Sequence, residues 1–208
     1  MKHLTQLAVA GVAALVLMMG IGAATASATE FCSTNTSPCT GTKYGAGTKL
    51  TGQLTTGKVA TLTTNLTNVT CKKSSISGVL TTSGGPGLTP ISGEVNAVTF
   101  SECIATSNGS ACTVKVLNLP WKLTGEKTGE TTFKVTLSGT PGVTVECPGA
   151  FINCTFSQTS LTLSGVSGSP ARVTATAVGL NKSGGFCPST AAYDAEYDVT
   201  APNPLYAV

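Results

Sequence analysis

Tyr193-Asp194-Ala195-Glu196-Tyr197-Asp198-Val199-Thr200 decides the fold class. Apolar and polar residues alternate strictly along it, and a β-strand sends successive side chains to opposite faces. The run therefore has an apolar face of Tyr193, Ala195, Tyr197 and Val199 and an acidic face of Asp194, Glu196 and Asp198. A helix would scatter the same residues around its circumference. Cys187 stands just upstream, able to tie this strand to a distant part of the chain, and Pro202 and Pro204 end it.

The rest of the chain is made of the same material. Thr occurs 36 times and charged residues are only 10% of the total. Thr is β-branched, so it suits strands, and its hydroxyl wets an outer face without charge. Strand-like runs cover 50–55, 58–65, 68–73, 76–82, 91–100 and 112–117. Others cover 131–138, 143–147, 152–156, 161–164 and 172–180. Ser83 to Leu88 reads as a loop, and Cys32 to Gly47 as an irregular, turn-rich cap. No window of a dozen residues keeps a 3.6-residue apolar period beyond the N-terminal segment. About ten to twelve short strands predict an all-β fold, a disulfide-stapled β-sandwich or, alternatively, a β-barrel.

The N-terminus is a separate matter. Lys2, the apolar run Leu7 to Ile21 and Ala26-Ser27-Ala28 have the order of a secretory signal cut after Ala28. The expected division is a signal peptide at 1–28 and a single all-β domain at 29–208. The apolar run is too short for a membrane anchor, which needs about 18 residues or more. Without Lys2 the chain has eleven basic and nine acidic residues, spread thinly, with Arg172 as its one arginine. That balance offers little to nucleic acid or anionic lipid, so neither nucleic-acid binding nor stable membrane insertion is expected.

All eight cysteines lie beyond residue 28, and an even number in an exported chain predicts four disulfides. Three pairs are close in sequence: Cys32-Cys39, Cys103-Cys112 and Cys147-Cys154. If these close locally, Cys71-Cys187 remains as the long bridge, worth about 5 kcal/mol by chain entropy against about 2.5 for an eight-residue loop. One conflict stands at the second pair. A two-residue turn at Asn108-Gly109 would set Cys103 opposite Val114. Either that loop is longer or the pairing is different.

Chemistry is conspicuous by what is missing. The only histidine is His3, in the segment to be removed, so no imidazole is expected for a triad or a metal. Gly52 to Lys58 has most of a phosphate-binding loop, but Val59 stands where a magnesium-holding Ser or Thr belongs, and the reading is a β-turn. The acidic row Asp194, Glu196, Asp198 projects in parallel from one strand, whereas glycosidase carboxylates face each other across a sugar. It reads as a solvated strand face. No catalytic residue, cofactor or metal is assigned. Trp121, the single tryptophan, follows Asn118-Leu119-Pro120 and is either a core plug or an aromatic contact for a ligand.

The string Cys112-Thr-Val-Lys-Val-Leu-Asn-Leu-Pro-Trp121, with a cysteine nine positions earlier, resembles a group of exported bacterial proteins of unknown function. The late Cys187 strand and Pro202 to Tyr206 are similar to that group as well. More distantly, the segment resembles the family called protein activator of alkane oxidation. That resemblance implies handling of apolar molecules and touches Leu119, Pro120 and Trp121. The expected function is a secreted, non-enzymatic β domain, a structural or interaction module at the cell surface with an unknown protein partner. The alternative is an extracellular carrier of an apolar small molecule. A cavity of about 300 Å³ or more beside Trp121 would favour the carrier; a filled core with an exposed apolar patch would favour the module.

Overall fold

The computed structural model describes residues 29–85, 90–185 and 187–208. The signal-peptide reading of 1–28, and part of the loop expected at 83–88, lie outside those residues. The strands are β1 (Phe31–Cys32), β2 (Lys43–Tyr44), β3 (Lys49–Leu54), β4 (Ala60–Thr63), β5 (Asn68–Leu80) and β6 (Ile91–Ala105). They continue as β7 (Ala111–Leu117), β8 (Trp121–Lys127), β9 (Thr132–Ser138), β10 (Gly142–Cys147) and β11 (Ile152–Ser157). The last are β12 (Ser160–Val166), β13 (Ala171–Gly185), β14 (Thr190–Ala201) and β15 (Tyr206–Ala207).

Of the two arrangements the sequence allows, the chain forms the barrel. Its short strands join end to end into eight staves: β3 with β4, then β5, β6, β7 with β8, β9 with β10, β11 with β12, β13 and β14. Each stave is antiparallel to the next in chain order, and β14 returns to pair with β3 and β4. The result is an up-and-down meander closed on itself, which leaves no free sheet edge. The four composite staves break half-way along the barrel, between 54 and 60, 117 and 121, 138 and 142, and 157 and 160. These breaks make a waist.

Alternation fixes what faces in. β9 points Phe133, Val135 and Leu137 into the lumen, β12 points Leu161, Leu163 and Gly165, and β14 points Ala195, Tyr197 and Val199. Outside stand Thr, Ser, Lys and Glu. β8 is a strand that the sequence reading misses. Its inward residues are Trp121, Leu123 and Gly125, the last a residue that weakens a strand interior. Its reason is space: a Cβ on Gly125 would meet the ring of Phe31 at 3.1 Å. Gly165 is stripped for the same purpose, since a Cβ there would overlap the ring of Phe133. Phe31 and Phe133 pack edge to face, 5.7 Å between centroids, across the room these glycines leave.

One end of the barrel is closed. The small sheet β15–β1–β2 lies across it, burying Phe31, Cys32, Leu205, Ala207 and Val208. The Lys127 N–H donates to Thr29 Oγ1 (2.8 Å), and Glu30 and Val208 exchange backbone hydrogen bonds (3.0 and 2.9 Å). Cys32–Cys39 cinches the loop between β1 and β2.

Three disulfides stand at the other end, and here three expected pairings are corrected. Cys32-Cys39 forms, but Cys103-Cys112, Cys147-Cys154 and Cys71-Cys187 do not; the bonds are Cys71–Cys103, Cys112–Cys147 and Cys154–Cys187. Register explains each. The loop after β6 holds four residues rather than two, because the Ala105 N–H donates to the Ser110 carbonyl (2.9 Å). That sets Cys103 opposite Cys112, yet also opposite Cys71 on its other side. Pairing 103 with 112 would strand Cys71 and Cys147 on staves that do not touch. Cys147 faces Ile152, not Cys154, and Cys154 faces Gly185, two residues before Cys187. Cys71 and Cys187 are kept apart by β4 and β14.

Non-reducing peptide mapping should recover the three rim bridges in this connectivity. Converting both Cys112 and Cys147 to Ser should lower stability by about 4 kcal/mol, the chain-entropy value for a loop of that length. At the closed end Gly165→Ala should cost about 1–3 kcal/mol by overpacking against Phe133. Equal denaturation midpoints for the Ala variant and the parent would show that Phe133 moves freely.

Candidate functional site

The lumen is a large concave feature of the fold, and its lining is predominantly apolar. At the closed end Phe31, Val95, Leu123, Val135 and Val199 surround a cavity of about 100 Å³. At the waist Trp121, Val143, Leu180, Tyr193 and Tyr197 border one of about 70 Å³. Towards the disulfide end Leu66, Phe151, Ile152, Phe156 and Pro188 border a third, of about 230 Å³, with Thr64, Thr67 and Ser107 at its polar margin. The first two share Ile76, Leu137, Leu163 and Tyr197, and the waist and rim cavities share Leu62, Val69 and Val145. They form a string along the axis, divided only by side chains. Among the described residues, no charged one lines any of the three.

Trp121 is buried in the waist wall where β7 breaks into β8. Its Nε1–H donates to the Leu117 carbonyl (2.8 Å), which satisfies the indole and turns the ring's carbons to the cavity. It is thus both a core residue and a wall of the waist cavity. That cavity is well short of the 300 Å³ set as the mark of a drug-sized carrier site; the space is divided along the axis instead of gathered beside the indole.

The waist also holds the lumen's polar feature. Ser74 Oγ and Tyr197 Oη lie 2.8 Å apart, and Tyr197 Oη and Tyr193 Oη 2.7 Å apart. Ser74 and Tyr197 are buried, while Tyr193 is half-buried and packs edge to face on Phe100 (6.3 Å). Sequence alternation places both tyrosines on the inner face but treats them as apolar; their hydroxyls are what it passes over. A phenol directed inward is the signal that could have found this site, since its tip requires a partner there. Ser74 was hidden by a change of phase in β5. Lys72 and Lys73 both point outward, so the residue after them turns in.

Burial raises the pKa of both phenols above the ordinary 10.0, most strongly at Tyr193, where the neighbouring Tyr197 adds to the effect. At Tyr197 the hydrogen bonds with Ser74 and Tyr193 offset part of the rise. Both groups are neutral hydrogen-bonding phenols at neutral pH.

The acidic row on the opposite face of β14 is structural. Asp194 Oδ1 accepts the Ala177 N–H (2.7 Å) at the bulge in β13, where Ala177 has a φ of 47°. Glu196 and Asp198 hold Arg172 Nε at 3.3 and 3.2 Å. Gly52 to Lys58 ends β3 and then turns, with the Lys58 N–H donating to the Thr55 carbonyl (2.9 Å) and Gly57 at a φ of 80°. No helix opens there to present its amides to phosphate. On the rim, Phe151 is 95% exposed and Leu66 67% exposed. All eight cysteines are oxidised, which suits an oxidising compartment. No family model, curated protein or solved structure matches the chain.

A phenol whose pKa is raised by folding binds its proton more tightly folded than unfolded. Its stabilisation is complete below pH 10 and is lost as pH rises through the folded values. Denaturation midpoints should therefore fall between pH 9 and pH 11, and fall less in the Tyr193→Phe, Tyr197→Phe double variant. A double variant as alkali-sensitive as the parent would place the effect elsewhere. Tyr197→Phe alone should cost about 1–3 kcal/mol, because Ser74 is left buried without its partner.

Proposed function

We propose that the chain is a secreted, non-enzymatic binding module that carries a slender apolar molecule inside its barrel. The single observation behind this reading is the lumen: predominantly apolar, lined by no charged residue among the described ones, and incompletely filled. Unfilled apolar space is destabilising. At roughly 24 cal/mol per Å³ a cavity of 100 Å³ costs about 2 kcal/mol, which a bound hydrocarbon chain would return. Closed eight-stranded barrels are wide enough either to fill with side chains or to hold one small ligand. This architectural argument is an analogy of fold, and it gains weight only from the particular lining here. The outward Lys, Thr, Ser and Glu suit a barrel surrounded by water; a barrel in lipid carries an outward apolar band. Four disulfides support an extracellular location. The resemblance of Cys112 to Trp121 to activators of alkane oxidation points towards apolar cargo as well.

A second reading, an interaction module at the cell surface, has its own observation. Phe151 and Leu66 stand exposed together on the rim, where a protein partner could bury them.

Titrating the oxidised protein with octane should change Trp121 emission saturably. Ala175→Leu, which adds bulk to the wall of the waist cavity, should remove that response while leaving the thermal midpoint within a few degrees of the parent. Phe151→Ser should leave it intact if cargo lies in the lumen. A flat titration of the parent would remove the carrier reading and leave the rim as the functional surface.

A further inference from the structure

The three hydroxyls at the waist do not balance. Ser74, Tyr197 and Tyr193 own three O–H protons and share two hydrogen bonds, and no further side-chain partner accompanies them among the described residues. Any arrangement of protons leaves one without an acceptor in the chain. If donation runs from Ser74 through Tyr197, the spare proton is on Tyr193, the half-buried member, which lines the waist cavity. If both neighbours donate to Tyr197, it is on Tyr197 itself; if donation runs from Tyr193 through Tyr197, it is on Ser74, and an acceptor in the cavity favours the two arrangements that leave it on a phenol. Both phenols line the waist cavity, and the other described residues around it have apolar side chains or, at Gly142, none, with the Trp121 N–H already paired to the Leu117 carbonyl. An unmatched donor in apolar surroundings is worth most to a ligand that brings an acceptor.

Charge sets the other limit. Among the described residues the cavities have no Lys, Arg or His in their walls, and Arg172, the one arginine, is outside, held by Glu196 and Asp198. A carboxylate drawn to the waist would have to leave water with no cation to meet it.

We infer that the Ser74–Tyr197–Tyr193 chain reads the cargo, and that the cargo is a neutral, slender molecule with one hydrogen-bond acceptor on an apolar chain, such as a ketone. A bare hydrocarbon leaves the donor unanswered, and a fatty-acid anion has no counter-charge. The acceptor sits against the phenols, and the chain runs from the waist towards the rim or into the cavity at the closed end. This rests on the carrier reading above and narrows it to a ligand class.

The test uses three probes of equal length on the oxidised full domain: octane, 2-octanone and octanoate at pH 8, measured by calorimetry and Trp121 emission. 2-Octanone should bind roughly tenfold more tightly than octane, the ratio that about 1.4 kcal/mol from one neutral hydrogen bond provides. Octanoate should bind most weakly and gain affinity as pH is lowered towards 5. The triple variant Ser74→Ala, Tyr193→Phe, Tyr197→Phe keeps the shape of the wall and removes every hydroxyl. It should bring 2-octanone to or below the affinity of octane, its carbonyl now leaving water with no donor to meet it, while octane is unchanged. If octane equals or exceeds 2-octanone in the parent, or the ketone keeps its advantage in the triple variant, the inference is overturned and the carrier reading survives. If no probe binds, the carrier reading fails and takes the inference with it. Should the triple variant not fold, the ranking of the three probes on the parent decides alone.

Discussion

The rim of the barrel is an almost unbroken covalent circuit. At that end the chain itself joins β4 to β5, β6 to β7, β10 to β11 and β13 to β14. The stave pairs it leaves unjoined there are those whose turns lie at the opposite end. Disulfides take up these gaps: Cys71–Cys103 between β5 and β6, Cys112–Cys147 between β7 and β10, and Cys154–Cys187 between β11 and the turn after β13. Turn and bridge alternate around the mouth. Each closes a loop of about thirty residues in the unfolded chain, so each removes a large share of its freedom. Meander barrels depend on pairing the first stave with the last, a contact distant in sequence and costly in entropy. A rim tied in this way holds the staves in order until β14 meets β3 and β4.

That constraint explains how so lightly apolar a chain keeps a lumen that is not full. Much of the inner surface is Ala, Gly and Val, and at the closed end Gly125 and Gly165 make way for the paired rings of Phe31 and Phe133. Packing alone would favour collapse onto the waist. With the rim held at fixed circumference the walls cannot close in, and the remaining volume is distributed along the axis. The cap of β1, β2 and β15 completes the asymmetry, one end plugged by side chains and the other kept round by sulfur.

The fold class was legible in β14 alone, because a period of two needs only eight residues to declare itself. Turn positions were legible too: Asn108-Gly109 and the Pro-rich exit fall where chain direction changes, and Gly57 where the first stave breaks. Closure was not, since a stave shows which face is buried but not how many neighbours complete the ring. Disulfide partners were hidden for the same reason. Sequence proximity favours Cys147 with Cys154, whereas a strand pair joins residues at equal distance from the turn, and these two are not. The candidate site was half legible. Trp121 drew notice as a lone indole and does line the waist, but Ser74 lay behind the double outward step at Lys72 and Lys73. Tyr193 and Tyr197 were counted by their rings instead of their oxygens.

One seam in the circuit has no covalent tie at the rim, that between β4 and β14. It is held there by the short ladder of Ala192, Tyr193 and Asp194 against Thr63, Leu62 and Thr61. Every other stave boundary at this end is closed by peptide or by sulfur, and hydrogen bonds of a short ladder are the first to open in a native barrel. Tyr193 belongs to this ladder by its backbone and to the waist by its hydroxyl. The least constrained place on the rim therefore adjoins the outermost hydroxyl of the Ser74–Tyr197–Tyr193 chain. Tyr193 thus links the one seam without a covalent tie, through its backbone, to the waist hydroxyls, through its side chain.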